Sequence, residues 1–126
     1  MGDFVNVGYQ DVLSSISSSN PTPGGGSVSA LILSHAHSLA TMVSRFTIGR
    51  DKWSDGQNIA EKIISKSDEN IETSLRLAKE DALAFDSVMN SYRLPKDTDE
   101  LKRTRKEAIF DSTMKAALSL IHISEP

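Results

Sequence analysis

The sequence predicts an all-α fold, a bundle of long helices. Apolar residues recur at three- and four-residue steps over long stretches, no stretch alternates with the two-residue period of a strand, and the connections are short and marked by Pro and Gly. No segment repeats at a fixed period.

The first element is short. Residues 3–16 carry Phe4, Val5, Val7, Tyr9, Val12, Leu13 and Ile16, a mixed pattern that ends in a helical turn over residues 10–17 and reads as a small helix packed on the core. The break SSSNPTPGGG over residues 17–26 follows, because proline fixes φ and removes a donor while glycine disfavours regular structure. A helix is then expected from Ser27 to about Ile48, with Val28, Leu31, Ile32, Ala36, Leu39, Met42, Val43 and Phe46 on one side. Its other side carries Ser29, Ser34, Ser38, Thr41 and Ser44, small rather than charged, which points to a helix surrounded by other helices or a partner subunit.

Two glycines interrupt the pattern in TIGRDKWSDG, residues 47–56, where Arg50 and Lys52 form a compact basic loop beside Trp53. A longer helix is expected from Gln57 to Tyr92, carrying Ile59, Ile63, Ile64, Ile71, Leu75, Ala78, Ala82, Phe85, Val88 and Met89 at helical spacing. Pro95 ends it. Asp97, with Glu100 three residues later, resembles a capping pattern for a third long helix running from about Thr98 to Ala117.

A chain of 126 residues with 38% hydrophobic and 25% charged residues fits one ordinary globular domain. The net charge of -3 gives no global basic field, which argues against broad nucleic-acid binding. The absence of cysteine excludes disulfides, thiol nucleophiles and cysteine metal sites. No signal peptide is read at MGDFVNVGYQ, and no apolar run approaches the ~18 residues of a membrane helix, so a soluble cytoplasmic protein is expected. Residues 118–126, LSLIHISEP, read as the one-frame translation of a common transposase sequencing adapter. They are expected to be a non-native tail, in which His122 carries no function, after a domain portion covering residues 1–117.

Four places carry candidate chemistry. The triplet Gly24, Gly25 and Gly26, followed by Ser27, places bare backbone N–H groups at the positive end of a helix, suited to a carboxylate, phosphate or polarised carbonyl. The plain alternative is a flexible turn with Ser27 as the helix cap. A nucleotide P-loop is disfavoured, since no Gly-Lys-Ser/Thr follows and no strand precedes. Arg45, Arg50 and Lys52 are candidates for an anion, against the alternative of solvated surface charges. His35 and His37 stand two apart, hence on different helix faces, and do not form a zinc pair. Asp81, in KEDALAFDSVM, lies at the edge of the apolar face beside Ala82 and Phe85, where a cleft could reach it and where partial desolvation would suit acid–base work. The alternative is an exposed helical aspartate such as Asp86.

In order along the chain, PTPGGGSVSA at residues 21–30, MVSRFTIGRDKW at 42–53, EDALAF at 80–85 and RLPKDTDE at 93–100 resemble the successive motifs of the cyclodeaminase/cyclohydrolase family. That family comprises the C-terminal domain of formimidoyltransferase-cyclodeaminase and the stand-alone methenyltetrahydrofolate cyclohydrolases. The resemblance covers residues 12–117 and implies an all-helical domain that dimerises through long helices. It implies a folate substrate, either 5-formimidoyltetrahydrofolate, closed to 5,10-methenyltetrahydrofolate with loss of ammonia, or 5,10-methenyltetrahydrofolate, hydrolysed to 10-formyltetrahydrofolate. The position of Asp81 is then the proton donor and acceptor. Gly24, Gly25, Gly26 and Ser27 match the glycine loop near the folate, and Arg45, Arg50 and Lys52 surround the position of Gly49. Asp51 stands where many relatives carry another basic residue. No metal or redox cofactor is implied. Relatives continue with further helices and a Gly-Asn motif, so a C-terminally truncated domain is expected, and a non-catalytic dimerisation or binding module on the same scaffold is the competing reading.

Overall fold

A computed structural model describes residues 7–124, with side chains described over residues 8–119. Phe4, Val5 and the side chains of Val7 and His122 lie outside these. Four α-helices follow one another: α1 (Val7–Ile16), α2 (Gly25–Thr47), α3 (Gln57–Tyr92) and α4 (Asp99–Ser124). A short 3-10 segment, Asp51–Gly56, precedes α3 and is interrupted at Trp53. No strand occurs among the described residues, as the periodicity predicts. None of the described helices is long and apolar enough to cross a membrane. The chain divides into two compact units, residues 28–78 and residues 1–27 with 79–126.

Residues 28–78 form a hairpin of α2 and the first part of α3. Its buried residues are small: Ser34, Thr41 and Ser44 on α2, and Ala60, Ser67, Ser74 and Ala78 on α3. Bulky side chains would hold two helices farther apart, whereas small ones let the backbones approach. A buried hydroxyl needs a partner. Ser44 donates to Ala40 O (2.8 Å), Thr41 to His37 O (2.8 Å), Ser34 to Leu31 O (2.6 Å) and Ser74 to Asn70 O (2.8 Å).

The small side of α2 packs, as its lack of charge predicts, while most of its apolar side lies outside. The apolar side of α2 is the exposed one: Ile32, Leu39, Val43 and Phe46 are 63, 59, 58 and 56% exposed. Ile32 and Ser34 are two apart and so point to opposite sides of the helix. On α3, Ile59, Leu75 and Phe85 are exposed, Ile63, Ile64, Ile71, Ala82, Val88 and Met89 are half-buried, and Ala78 is buried. Close packing of small residues has taken the place of a core of large ones.

The hairpin turn is fixed by backbone chemistry. Gly49 adopts φ of 75°, a conformation in which glycine lacks the Cβ penalty, directly after the end of α2. Its N–H donates to Gln57 Oε1 at 3.0 Å, and Gln57 Nε2 donates to Thr47 O at 2.8 Å. One side-chain amide therefore joins the Arg50 N–H on the last carbonyl of α2.

In the other unit, α1 exposes Tyr9, Val12 and Leu13 and half-buries Ile16, so it is not the core-packed helix expected. The end of α3 and α4 meet through buried Ser91, which lies 3.0 Å from Ser112 Oγ and donates to Ala108 O at 3.2 Å. Arg105 donates to Tyr92 O at 3.2 Å and stacks over the Tyr92 ring. The cap of α4 is shifted by one residue from the expected pair: Leu101 N–H donates to Thr98 Oγ1 at 3.1 Å. The helix continues through Ser124, into the stretch that the sequence sets apart.

Candidate functional site

The glycine triplet is the entrance of α2, not a linker in front of it. The helix begins at Gly25, two residues earlier than expected, which puts Ser27 within the first turn and not at the cap. Ser27 is 2% exposed, and its hydroxyl donates to Asp81 Oδ2 at 3.3 Å. Asp81 itself is half-buried.

The approach of Asp81 to this turn is close. A Cβ on Gly26 would lie 2.6 Å from both carboxylate oxygens, nearer than any real contact allows. A side chain at Gly26 would therefore have to displace the carboxylate, the far end of a flexible side chain, whereas the dihedral angles of Gly26 set no such limit. The negative group faces the positive end of α2, an arrangement that favours an anion there. The same close approach would accommodate a substrate carbonyl or carboxylate only where Asp81 leaves room.

Helical register explains why these two residues meet. Ala60, Ser67 and Ser74 follow one another by seven residues along the buried side of α3, and the next such step is Asp81. On α2, Ser27 stands seven residues before Ser34 and fourteen before Thr41. Seven residues are nearly two turns, so each set shares one face. This spacing of small residues was readable in the sequence, and it places Asp81 on the packed face more directly than the apolar pattern does.

A cleft of about 170 Å³ opens at Asp81, lined also by Glu80, Ala84, Phe85, Val88 and Ala116. Its walls are mostly apolar, and its volume is below the roughly 300–1,000 Å³ of drug-sized ligand pockets. It is large enough for one end of a bulky ligand. A second, polar cleft of about 300 Å³ lies between Asn20, Pro21 and Thr22 and the α3 residues Asp86, Met89, Asn90 and Arg93.

Asp86 differs from the sequence reading. Far from being a free helical carboxylate, it is half-buried and accepts a hydrogen bond from Thr22 Oγ1 at 2.7 Å. Thr22 precedes Pro23 through a cis peptide bond. The only sequence hint of this contact was a hydroxyl residue within the Pro-rich break.

Of the predicted site residues, Gly24, Gly25, Gly26, Ser27 and Asp81 fall in one unit, and Gly26 and Ser27 meet Asp81 directly. Arg45, Arg50 and Lys52 fall in the other. There Arg50 and Lys52 lie 5.6 and 5.4 Å from the centre of the Trp53 ring, within cation–π range, and Arg45 is exposed in the last turn of α2. His35 Nδ1 lies 2.8 Å from Leu31 O, a contact within its own helix.

Residues 8–125 match the family described as formiminotransferase-cyclodeaminase. A methenyltetrahydrofolate cyclohydrolase from Methylorubrum extorquens is 35% identical over 107 residues, 85% of this chain and 51% of that protein. A formimidoyltransferase-cyclodeaminase from Gallus gallus is 29% identical over 98 residues, 78% of this chain and 18% of that protein. The Sus scrofa protein of the same name is 28% identical over 110 residues, 87% of this chain and 20% of that protein. The chain thus spans about half the length of the first relative and about a fifth of the other two.

Proposed function

The chain belongs to the formiminotransferase-cyclodeaminase family, and on that premise we propose that it carries the proton-transfer centre of a folate-converting enzyme. The carrying observation is Asp81, half-buried at a cleft and set against the first turn of α2 with Ser27 beside it. In the cyclodeaminase reading, N10 of 5-formimidoyltetrahydrofolate attacks the amidine carbon. Asp81 takes the proton that N10 loses and returns it to the departing nitrogen, which leaves as ammonia. In the cyclohydrolase reading, the same carboxylate takes a proton from water as the oxygen attacks the methenyl carbon and returns it to N5; the new hydroxyl then loses its own proton to solvent as the C–N5 bond breaks, giving 10-formyltetrahydrofolate. The 35% identity to a cyclohydrolase over most of this chain favours the second reaction.

In this proposal Phe85 and Ala84 hold an apolar part of the folate, while backbone N–H groups of Gly24, Gly25 and Gly26 and the Ser27 hydroxyl hold its polar atoms. Arg45, Arg50 and Lys52, in the other unit, are candidates by charge for an anionic group such as a glutamate carboxylate. Neither reaction calls for a metal or a redox cofactor. The active assembly is a cytoplasmic homodimer built on exposed apolar faces such as that of α2.

Turnover of both folates, measured for the chain and for Asp81→Asn, tests the reading. Asparagine keeps the shape and cannot exchange the proton, so a loss of about 10²–10⁴-fold in kcat is expected, with KM little changed. Equal turnover by the variant would overturn the role of Asp81. No turnover of either substrate by a protein completed to the length of its relatives favours the non-catalytic binding module, since this stretch of chain alone is expected to be inactive where residues of the site lie beyond it.

A further inference from the structure

We propose that Thr22 and Asp86 are positioning residues that set the distance between the entrance of α2 and Asp81. Two aspartates of α3 touch the entrance of α2, Asp86 at Thr22 before the helix and Asp81 at Ser27 in its first turn, and they do so unequally. Thr22 donates to Asp86 at 2.7 Å, the length of a strong hydroxyl–carboxylate bond, whereas Ser27 donates to Asp81 at 3.3 Å, beyond the usual range. Asp86 is committed to an anchor. Asp81 is held loosely and keeps its oxygens available for chemistry.

The anchor matters because of what lies between the two contacts. Only Pro23 and Gly24 separate Thr22 from the helix, and Gly25 and Gly26 open the helix itself, so no side chain of the three glycines ties the entrance of α2 to α3. Yet the Gly26 Cα must pass the Asp81 carboxylate with no room even for a Cβ. Fixing Thr22 at one end and burying Ser27 at the other leaves this stretch two ends that do not move. Release of the Thr22 end lets the turn drift from Asp81 without unfolding the helices. Nothing in the proton transfer needs the charge of Asp86; the hydrogen bond is what counts, and an asparagine oxygen also accepts it, more weakly.

This inference rests on the role proposed for Asp81, but its first test does not. The carboxyl carbon resonance of Asp81, in the full chain labelled with ¹³C-aspartate and assigned through Asp81→Asn, reports the surroundings of that group. Thr22→Val and Asp86→Ala are expected to shift it, while Thr22→Ser and Asp86→Asn leave it as in the parent. Where the parent turns over folate, the first pair lowers kcat by about 10- to 100-fold at nearly constant KM, and the second pair restores it. An Asp81 resonance unmoved in a folded Thr22→Val or Asp86→Ala protein overturns the proposal. So does a shift in Asp86→Asn as large as in Asp86→Ala, which would make charge and not the hydrogen bond the cause. Should Thr22→Val fail to fold, the two Asp86 variants decide alone. A shifted resonance with no turnover in any variant, the parent included, supports the anchor and overturns turnover by this stretch of chain alone.

Discussion

A Cβ on Gly26 would stand 2.6 Å from both oxygens of Asp81, whereas one on Gly25 would meet nothing within 4 Å. The two adjacent glycines therefore predict different outcomes. Alanine at either position suits the first turn of a helix and restricts the unfolded chain, worth about 0.4–1 kcal/mol of stability where there is space. Gly25→Ala is expected to gain that amount, read as a higher denaturant midpoint. If Gly25 faces the folate it also raises KM and spares kcat. Gly26→Ala displaces the carboxylate, so its stability gain is offset, and kcat falls by about 100-fold because the proton carrier is misplaced. Equal kinetics for the two variants would mean that the close approach to Asp81 has no part in the reaction. The sequence could present three glycines but could not rank them, because the rank depends on a residue fifty-five positions beyond Gly26.

At the scale of the helix, legibility depended on what each pattern measures. The bounds of α3, Gln57–Tyr92, follow from a glycine at one end and Pro95 beyond the other, and the periodicity found them. Which side of α2 is buried did not follow from hydrophobicity, since Ser34, Thr41 and Ser44 are inside and Ile32, Leu39, Val43 and Phe46 outside. Burial here is decided by how closely two backbones approach, a quantity that the seven-residue spacing of small residues encodes and the apolar count does not. Ser74 tests this. It is 2% exposed and its hydroxyl bonds only within its helix, to Asn70 O, so Ser74→Ala removes little and gains helix propensity. A change within about 0.5 kcal/mol is expected. Ser74→Leu forces the helices apart and should cost about 1–3 kcal/mol or more by chemical denaturation. A leucine accommodated without loss would show that the seam is not tightly packed.

For the molecule as a whole, the large side chains that normally stabilise a domain are still in contact with solvent. Among the described residues only Ala60 and Ala78 are buried hydrophobics. On α2 the exposed set Ile32, Leu39, Val43 and Phe46 follows steps of seven, four and three residues, which makes one continuous stripe. A stripe of this kind is unfavourable in water, and in the proposed homodimer a second copy of the chain would present the same stripe in return. Each of these residues is more than half exposed, so covering one contributes roughly 1 kcal/mol, and four from each copy give roughly 8 kcal/mol. Association costs about 4–15 kcal/mol in lost freedom, so the stripe alone yields a marginal dimer and needs the rest of the face to hold it. Such a balance is sensitive to few changes. Sedimentation should find the parent chain as a concentration-dependent dimer and Val43→Lys/Phe46→Lys as a monomer of unchanged helical content, since both side chains already lie outside the hairpin seam. A parent that stays monomeric at high micromolar concentration, or a double variant that still pairs, would place the contact elsewhere than on α2.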